Sequence, residues 1–156
     1  MTTQQYIGVK VINAKPMTRQ EYNDFRGWQL PADENGDDAG FLVEYTDGGR
    51  GNTDHYAGYV SWSPADVFDR AYRVTSGMTF GLALEALKLG HKVARSGWNG
   101  KGMWLSLVNN WNGQIGTMPP NYGLLPWIGM KTADDKFVPW LASQTDMLAE
   151  DFLIVE

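Results

Sequence analysis

The residues able to do acid–base or nucleophilic work are few: His55, His91, and a short stretch in which Ser143, Thr145 and Asp146 lie close together, in a chain with no cysteine. Proton transfer needs a base within hydrogen-bond reach of the reacting group. His55 falls in a glycine-rich loop, and His91 follows a glycine that should end a helix, where a histidinium simply favours the helix dipole. No base lies near Ser143 or Thr145 to activate a hydroxyl, so helix capping accounts for that trio and no catalytic residue is expected. The acidic run from Asp33 places Asp33, Asn35, Asp37 and Glu44 at the first, third, fifth and twelfth positions of a calcium loop. Asp38 then stands at the sixth, where the sharp turn requires glycine, so a solvated acidic loop is expected and no metal. Gly48, Gly49 and Gly51 lack the lysine and helix of a phosphate-binding loop, and no cofactor site is read from the sequence.

Tryptophan is the stronger signal, with seven in 156 residues. Their default role is packing, expected for Trp28 and Trp62. Trp98, by contrast, sits beside Asn99-Gly100, and Trp127 and Trp140 each follow a proline at the start or end of a predicted strand. Strand ends are rims, where an indole can present a stacking face while nearby polar groups bind heteroatoms. No Asp or Glu occurs between Glu85 and Asp134, a window holding Lys88, Lys92, Arg95, Lys101 and Lys131 with His91, Trp98, Trp104, Trp111, Tyr122 and Trp127. If these residues converge, they form an electropositive aromatic surface suited to a small aromatic anion. The net charge of −5 argues against a nucleic-acid polymer as partner, because such binding draws its affinity from phosphate neutralisation. The opening MTTQQYIGVKV has no basic segment followed by an apolar one, and no apolar run approaches the roughly 20 residues that span a bilayer. A soluble, intracellular protein with no membrane partner is expected, and the missing cysteines fit a reducing compartment.

The elements that must position these side chains follow from local pattern. Tyr6 to Asn13 alternates as a strand that Pro16 should end, and Thr18 with Glu21 forms a capping box for a helix to about Phe25. Residues 31–40 read as a surface loop, Phe41 to Tyr45 and Tyr59 to Trp62 as strands, and Ser63 as the cap of a helix whose first residue is Pro64. Thr75 to Met78, with Gly77 as its flexible point, is the expected boundary between modules at 1–75 and 76–156. Beyond it, Thr79 caps a helix carrying Phe80, Ala83, Leu84 and Leu87 on one face, and Gly90 stops it. Lys92 to Arg95 and Met103 to Val108 should form a hairpin around Asn99-Gly100. A long loop from Asn109 to Gly123, a strand over Leu125 to Lys131, a turn, extended chain from Phe137 to Trp140, a helical turn in LASQTDML and a closing strand FLIVE complete the reading. The fold class is α+β, two small modules, the second a helix on an antiparallel sheet.

The stretches MTFGLALEALKLGHKVAR, SGWNGKGMWLSL and PWIGMKTADDKFVPWLASQTDMLAEDF, within Met78 to Glu156, resemble a phage and prophage family of anti-Thoeris proteins, the second such anti-defence family. The resemblance implies a small α+β protein that assembles as a homotetramer in the cytoplasm of the bacterial host. It also implies binding, in pockets between subunits, of the cyclic ADP-ribose isomer (glycocyclic ADP-ribose) made by TIR-domain proteins, which is held intact so that the effector is not activated. Some relatives also capture cyclic oligonucleotides of the CBASS system. Carried onto this chain, the motif positions make Trp98 and Asn99 ligand contacts, with Arg95 and Lys101 suited by residue type to a pyrophosphate. The same motifs offer Trp127, Met130 and Lys131, and then Trp140, Thr145 and Asp146, the last able to accept a ribose hydroxyl. PMTRQEYNDFRGW and GYVSWSPADVF resemble another phage module of unknown role. The competing readings are a phosphodiesterase or glycohydrolase that destroys the same signal, and a phage structural or protein-interaction module.

Overall fold

The structure, a computed structural model, describes residues 3–98, 102–109 and 125–156. By its internal contacts the chain divides into two compact units, Met1–Tyr72 and Arg73–Glu156. The first is built on a three-stranded antiparallel sheet of β1 (Ile12–Pro16), β2 (Gly40–Tyr45) and β3 (Tyr59–Pro64), in that spatial order. Helix α1 (Arg19–Arg26) lies on one face of it and α2 (Ala65–Ala71) on the other. Alternation explains the two faces. Leu42 and Val60 point toward Tyr22 and Phe25 of α1, whereas Phe41, one residue out of phase, stacks on Phe68 of α2 at 4.0 Å between ring centroids.

The capping box forms as its spacing predicts. Thr18 Oγ1 accepts from the Glu21 amide at 3.2 Å, the Glu21 carboxylate accepts from the Thr18 amide at 2.7 Å, and Gly27 ends α1 at φ 66°. Two other local expectations are overturned. The first strand begins at Ile12 rather than Tyr6 and continues through Pro16, because register decides it: Ile12 pairs with Tyr45, the last residue of β2, so the chain before it overruns its partner. Pro16 is tolerated because β1 is an edge strand. Ser63 does not cap α2 either; it and Pro64 continue β3 opposite Phe41 and Gly40, which leaves Pro64 as an N-cap without a side-chain bond. Nor does Trp28 belong to the core. It is exposed, covered by the Arg26 guanidinium at 4.4 Å and edge-on to Tyr22. Trp62 is half-buried as expected, its indole N–H donating to the Met17 carbonyl at 2.8 Å.

Gly40 is required by that indole: a Cβ there would overlap Cε2 and Cζ2 of Trp62 and sit 2.5 Å from the Ser63 carbonyl oxygen, which is backbone and cannot swing aside. Gly40→Ala should therefore destabilise the N-terminal unit by about 1–3 kcal/mol, the usual cost of overpacking. Urea denaturation of the full chain checks it, and an unchanged midpoint would show that the strand can shift without loss. On the free edge of β3, the Asn52 side chain donates to the Val60 carbonyl and accepts from the Val60 amide, both at 2.8 Å.

The second unit is a five-stranded antiparallel sheet with helices on one face. Its order is β7 (Phe137–Pro139), β6 (Trp127–Lys131), β5 (Trp104–Val108), β4 (Lys92–Arg95), β8 (Phe152–Val155). Helix α3 (Phe80–Lys88) starts at Thr79, whose side chain accepts from the Leu82 amide. Gly90 adopts φ 93° after its last turn, as a helix-stopping glycine does. Ala83, Ala86 and Leu87 are buried against Val93, Leu105 and Phe152, the two alanines permitting a close approach of helix to sheet. A one-turn helix, α4 (Gln144–Met147), is capped by Ser143 and packs beside α3. The predicted boundary segment is bonded to this unit: Met78 and Phe152 exchange backbone hydrogen bonds at 2.7 and 3.1 Å, and the Ile154 amide donates to Thr75. The Asn99-Gly100 turn and most of the Asn109 to Gly123 loop lie outside the described residues. No helix among the described residues is long and apolar enough to cross a membrane.

A candidate aromatic and cationic site

Strand alternation sorts the candidate residues of the second unit onto two faces. On the helix-bearing face, Met130 pairs with Leu105 and packs against the core. At one end of that face, Arg95 of β4, Trp98 just beyond it, Trp140 after β7, and Thr145 and Asp146 of α4 come together. The Trp98 and Trp140 rings meet edge to face at 6.1 Å, and both pack on the core, Trp140 also against Phe80. Asn99 and Lys101 lie outside the described residues.

Arg95 organises this end. Its Nε donates to Asp151 and its Nη1 to Asp146, each at 2.8 Å, and its guanidinium lies 5.9 Å from the centre of the Phe152 ring. The other Asp151 oxygen accepts from the Ser96 hydroxyl and the Gly97 amide, both at 3.2 Å. The other Asp146 oxygen accepts from the Ser143 amide and hydroxyl at 2.9 and 2.6 Å, and Thr145 shares a hydroxyl bond with Ser143. The hydrogen bond from Arg95 holds the Asp151 carboxyl below the usual range, against the opposing effect of burial. Burial pushes Asp146 upward, but the bonds from Ser143 and Arg95 together outweigh it and leave it lowered. The two carboxylates raise Arg95 in turn. All three are thus charged at neutral pH with a net −1, and two of the guanidinium's donor groups are already committed.

Among the described residues, the opposite face carries no helix of this unit. Trp104 and Lys131 are cross-strand partners there, and Phe137 is the next partner of Lys131. The Phe137 ring lies 6.0 Å from Trp104 and 5.8 Å from Trp127, bridging them into a row. Gly129 lies beneath this row, where any Cβ would overlap Cζ and Cε1 of Phe137. Lys92 places its ammonium 4.9 Å from the Trp104 ring centre. Lys131 is ion-paired with Asp135 at 2.6 Å, but that aspartate is 82% exposed. Such surface pairs contribute little, so an incoming anion can compete for the ammonium. The face is a half-exposed aromatic shelf with cations at its border, chemistry suited to stacking a planar ring and pairing its negative charge.

The structure thus brings Arg95, Trp98, Trp140, Thr145 and Asp146 together, packs Met130 against the core on that same helix-bearing face, and sets Trp127 and Lys131 on the other side of the sheet. Sequence reasoning counts Lys92 and Trp104 in the acid-free window without giving them a role, and passes over Phe137 and Asp151. The period of two in WLSLV and WIGMK carries the signal for Trp104, since it sets Trp104, Ser106 and Val108 on one face and Trp127, Gly129 and Lys131 on its continuation. Among the described residues, no group of three or more His, Asp or Glu side chains is placed to hold a metal ion.

The helix, both faces of the sheet and the Arg95 network all fall within residues 78–155, which match the model of the Thoeris anti-defense 2-like domain. Over 86 residues the chain is 46% identical to Thoeris anti-defense 2 of Bacillus phage SP01, a match covering 50% of this chain and 94% of that protein. Through its C-terminal half, the chain belongs to the Tad2-like family of phage anti-Thoeris proteins.

Proposed function

We propose that the chain acts in the host cytoplasm as a non-catalytic binding protein that sequesters, without cleaving it, a cyclic nucleotide immune signal of the cyclic ADP-ribose type. The observation that carries the reading is the shelf of Trp104, Phe137 and Trp127 bordered by Lys92 and Lys131, within the part of the chain that matches the anti-Thoeris family. Purine stacking on the rings and phosphate pairing with Lys131 would hold such a ligand with no residue needed to break a bond. The division of candidates between two faces supports a homo-oligomer. One ligand cannot touch Trp127 and Trp98 through the sheet, whereas a pocket between protomers can take the shelf from one and the Trp98–Trp140 end from another. Thr145 belongs to that second contribution. Arg95, with two donor groups on carboxylates, keeps only its remaining N–H groups for a phosphate. The same chemistry admits cyclic oligonucleotides of the CBASS type, and the reading calls for no cofactor or metal.

Inhibition by sequestration is stoichiometric, so the protein must be as abundant as its signal. The test is to incubate purified protein with glycocyclic ADP-ribose or a cyclic dinucleotide, denature it, and analyse the released small molecule by mass spectrometry. Recovery of one intact ligand per site is expected, with native mass spectrometry reporting subunit count. Cleaved product would replace sequestration by phosphodiesterase or glycohydrolase activity, and absence of binding across the panel would favour a structural or protein-interaction module.

A further inference from the structure

We infer that Asp151 is the positioning residue of the turn that carries Trp98, acting directly on that turn and through Arg95, which fastens the same turn to α4. The inference rests on the binding reading for its functional consequence and on geometry alone for the latch itself.

The turn after β4 has few contacts of its own to hold it. Ser96 and Gly97 are exposed, and Trp98 is the first residue there to reach the core. Asp151 supplies what is missing from three directions. Its backbone carbonyl accepts from the Ser96 amide at 3.0 Å, one carboxylate oxygen accepts from the Ser96 hydroxyl and the Gly97 amide, and the other accepts from Arg95 Nε. The Trp98 amide then closes the turn on the Arg95 carbonyl at 3.1 Å. Three consecutive amides are thereby satisfied, two of them by a residue more than fifty positions away.

The second arm runs through the guanidinium. Arg95 Nη1 reaches Asp146, whose other oxygen is engaged at the N-cap of α4 by Ser143. Ser143 lies three residues beyond Trp140, so the network fastens both sides of the indole pair, the turn bearing Trp98 and the segment bearing Trp140. Side-chain exposures of 21% for Arg95, 13% for Asp146 and 32% for Asp151 place it where competition from water is reduced but access remains. Bonds to charged acceptors in such a setting are stronger than neutral ones. The signature of this role is local: weakening the latch should loosen residues 96–98 and tilt Trp98 without unfolding the sheet.

The test uses the full chain with Asp151→Asn, Arg95→Lys and the exposed neighbour control Glu150→Gln. Asparagine keeps the size but presents an amide donor to either Arg95 or the Gly97 N–H. Lysine keeps the charge but cannot donate to both carboxylates from a planar fork. Amide hydrogen exchange measured by mass spectrometry should rise about tenfold to a hundredfold at residues 96–98 in both variants, from the loss of a charged hydrogen bond. Exchange in α3 and β5 should stay at the wild-type rate, with the control unchanged throughout. Affinity for glycocyclic ADP-ribose should fall about tenfold in the same two variants, chiefly through faster dissociation. Wild-type exchange at 96–98 in Asp151→Asn would overturn the latch, as would a rise spread evenly over the unit, which marks a purely structural residue. If Asp151→Asn does not fold, Arg95→Lys decides by the same criterion. If the wild-type chain binds no cyclic nucleotide, the functional reading fails while exchange at 96–98 still decides the latch.

Discussion

Phe152→Ala should cost the C-terminal unit about 3–5 kcal/mol, the range for truncating a buried aromatic side chain. Phe152 has no exposed surface and sits at the join of three elements. Its backbone pairs with Arg95 in β4 on one side and with Met78 on the other, and its ring meets Phe80 of α3 at 5.8 Å. The residue bonded on either side is held by backbone, so the sheet cannot close over the vacated space without breaking ladder bonds, and a cavity remains. A domain of this size is stable by only about 5–15 kcal/mol, so the loss takes a large share of the whole. Urea denaturation followed by tryptophan fluorescence and circular dichroism should show a lower midpoint for the transition of the C-terminal unit. A change below about 1 kcal/mol would mean that the neighbours collapse into the gap, against the close packing inferred from Ala83 and Ala86.

The largest functional effect is expected at Trp104. Stacking of a base on an aromatic side chain contributes about 1–3 kcal/mol, and each 1.4 kcal/mol is tenfold in affinity, so Trp104→Ala should weaken ligand binding by roughly 5- to 150-fold. Trp104→Phe should recover most of that, since it keeps a ring between Lys92 and Phe137. Isothermal titration with glycocyclic ADP-ribose, alongside a thermal melt, separates the two consequences of the change. Trp104 lies outside the buried core of the unit, so its melting temperature should move far less than that of Phe152→Ala. Equal affinity in wild type and Trp104→Ala would remove the shelf from the binding surface and leave the Trp98–Trp140 end as the site.

Legibility in the sequence followed the range of the interaction. The capping box at Thr18, the stop at Gly90 and the Ser143 cap depend on residues three or four apart, and each was readable from spacing. The strand at Ile12–Pro16 was not, because its limits are set by where β2 ends, about thirty residues on; among the described residues, Tyr6 to Val11 pairs with no strand despite its regular alternation. Pro64 shows the same competition, its preference for a helix start yielding to a ladder position opposite Gly40. At the candidate site, residue type marked Trp98, Trp127, Trp140 and Lys131, but not which face of the sheet each would occupy. Arg95 was marked as a phosphate partner by residue type, while the carboxylates that engage it come from 51 and 56 positions further along the chain. Phe137 was passed over because its neighbours, Trp104 and Trp127, become neighbours only across strands.

The Asn52 amide on Val60 bears on how the protein behaves at high concentration, which the proposed stoichiometric sequestration would require. An exposed strand border with idle donors and acceptors is a template on which other chains can grow into fibrils. By imitating a peptide group in both directions, this one side chain terminates the ladder at Val60, and Pro64, with no N–H to offer, blunts the same rim further along. The N-terminal unit thereby carries its own safeguard against edge-to-edge aggregation at high concentration.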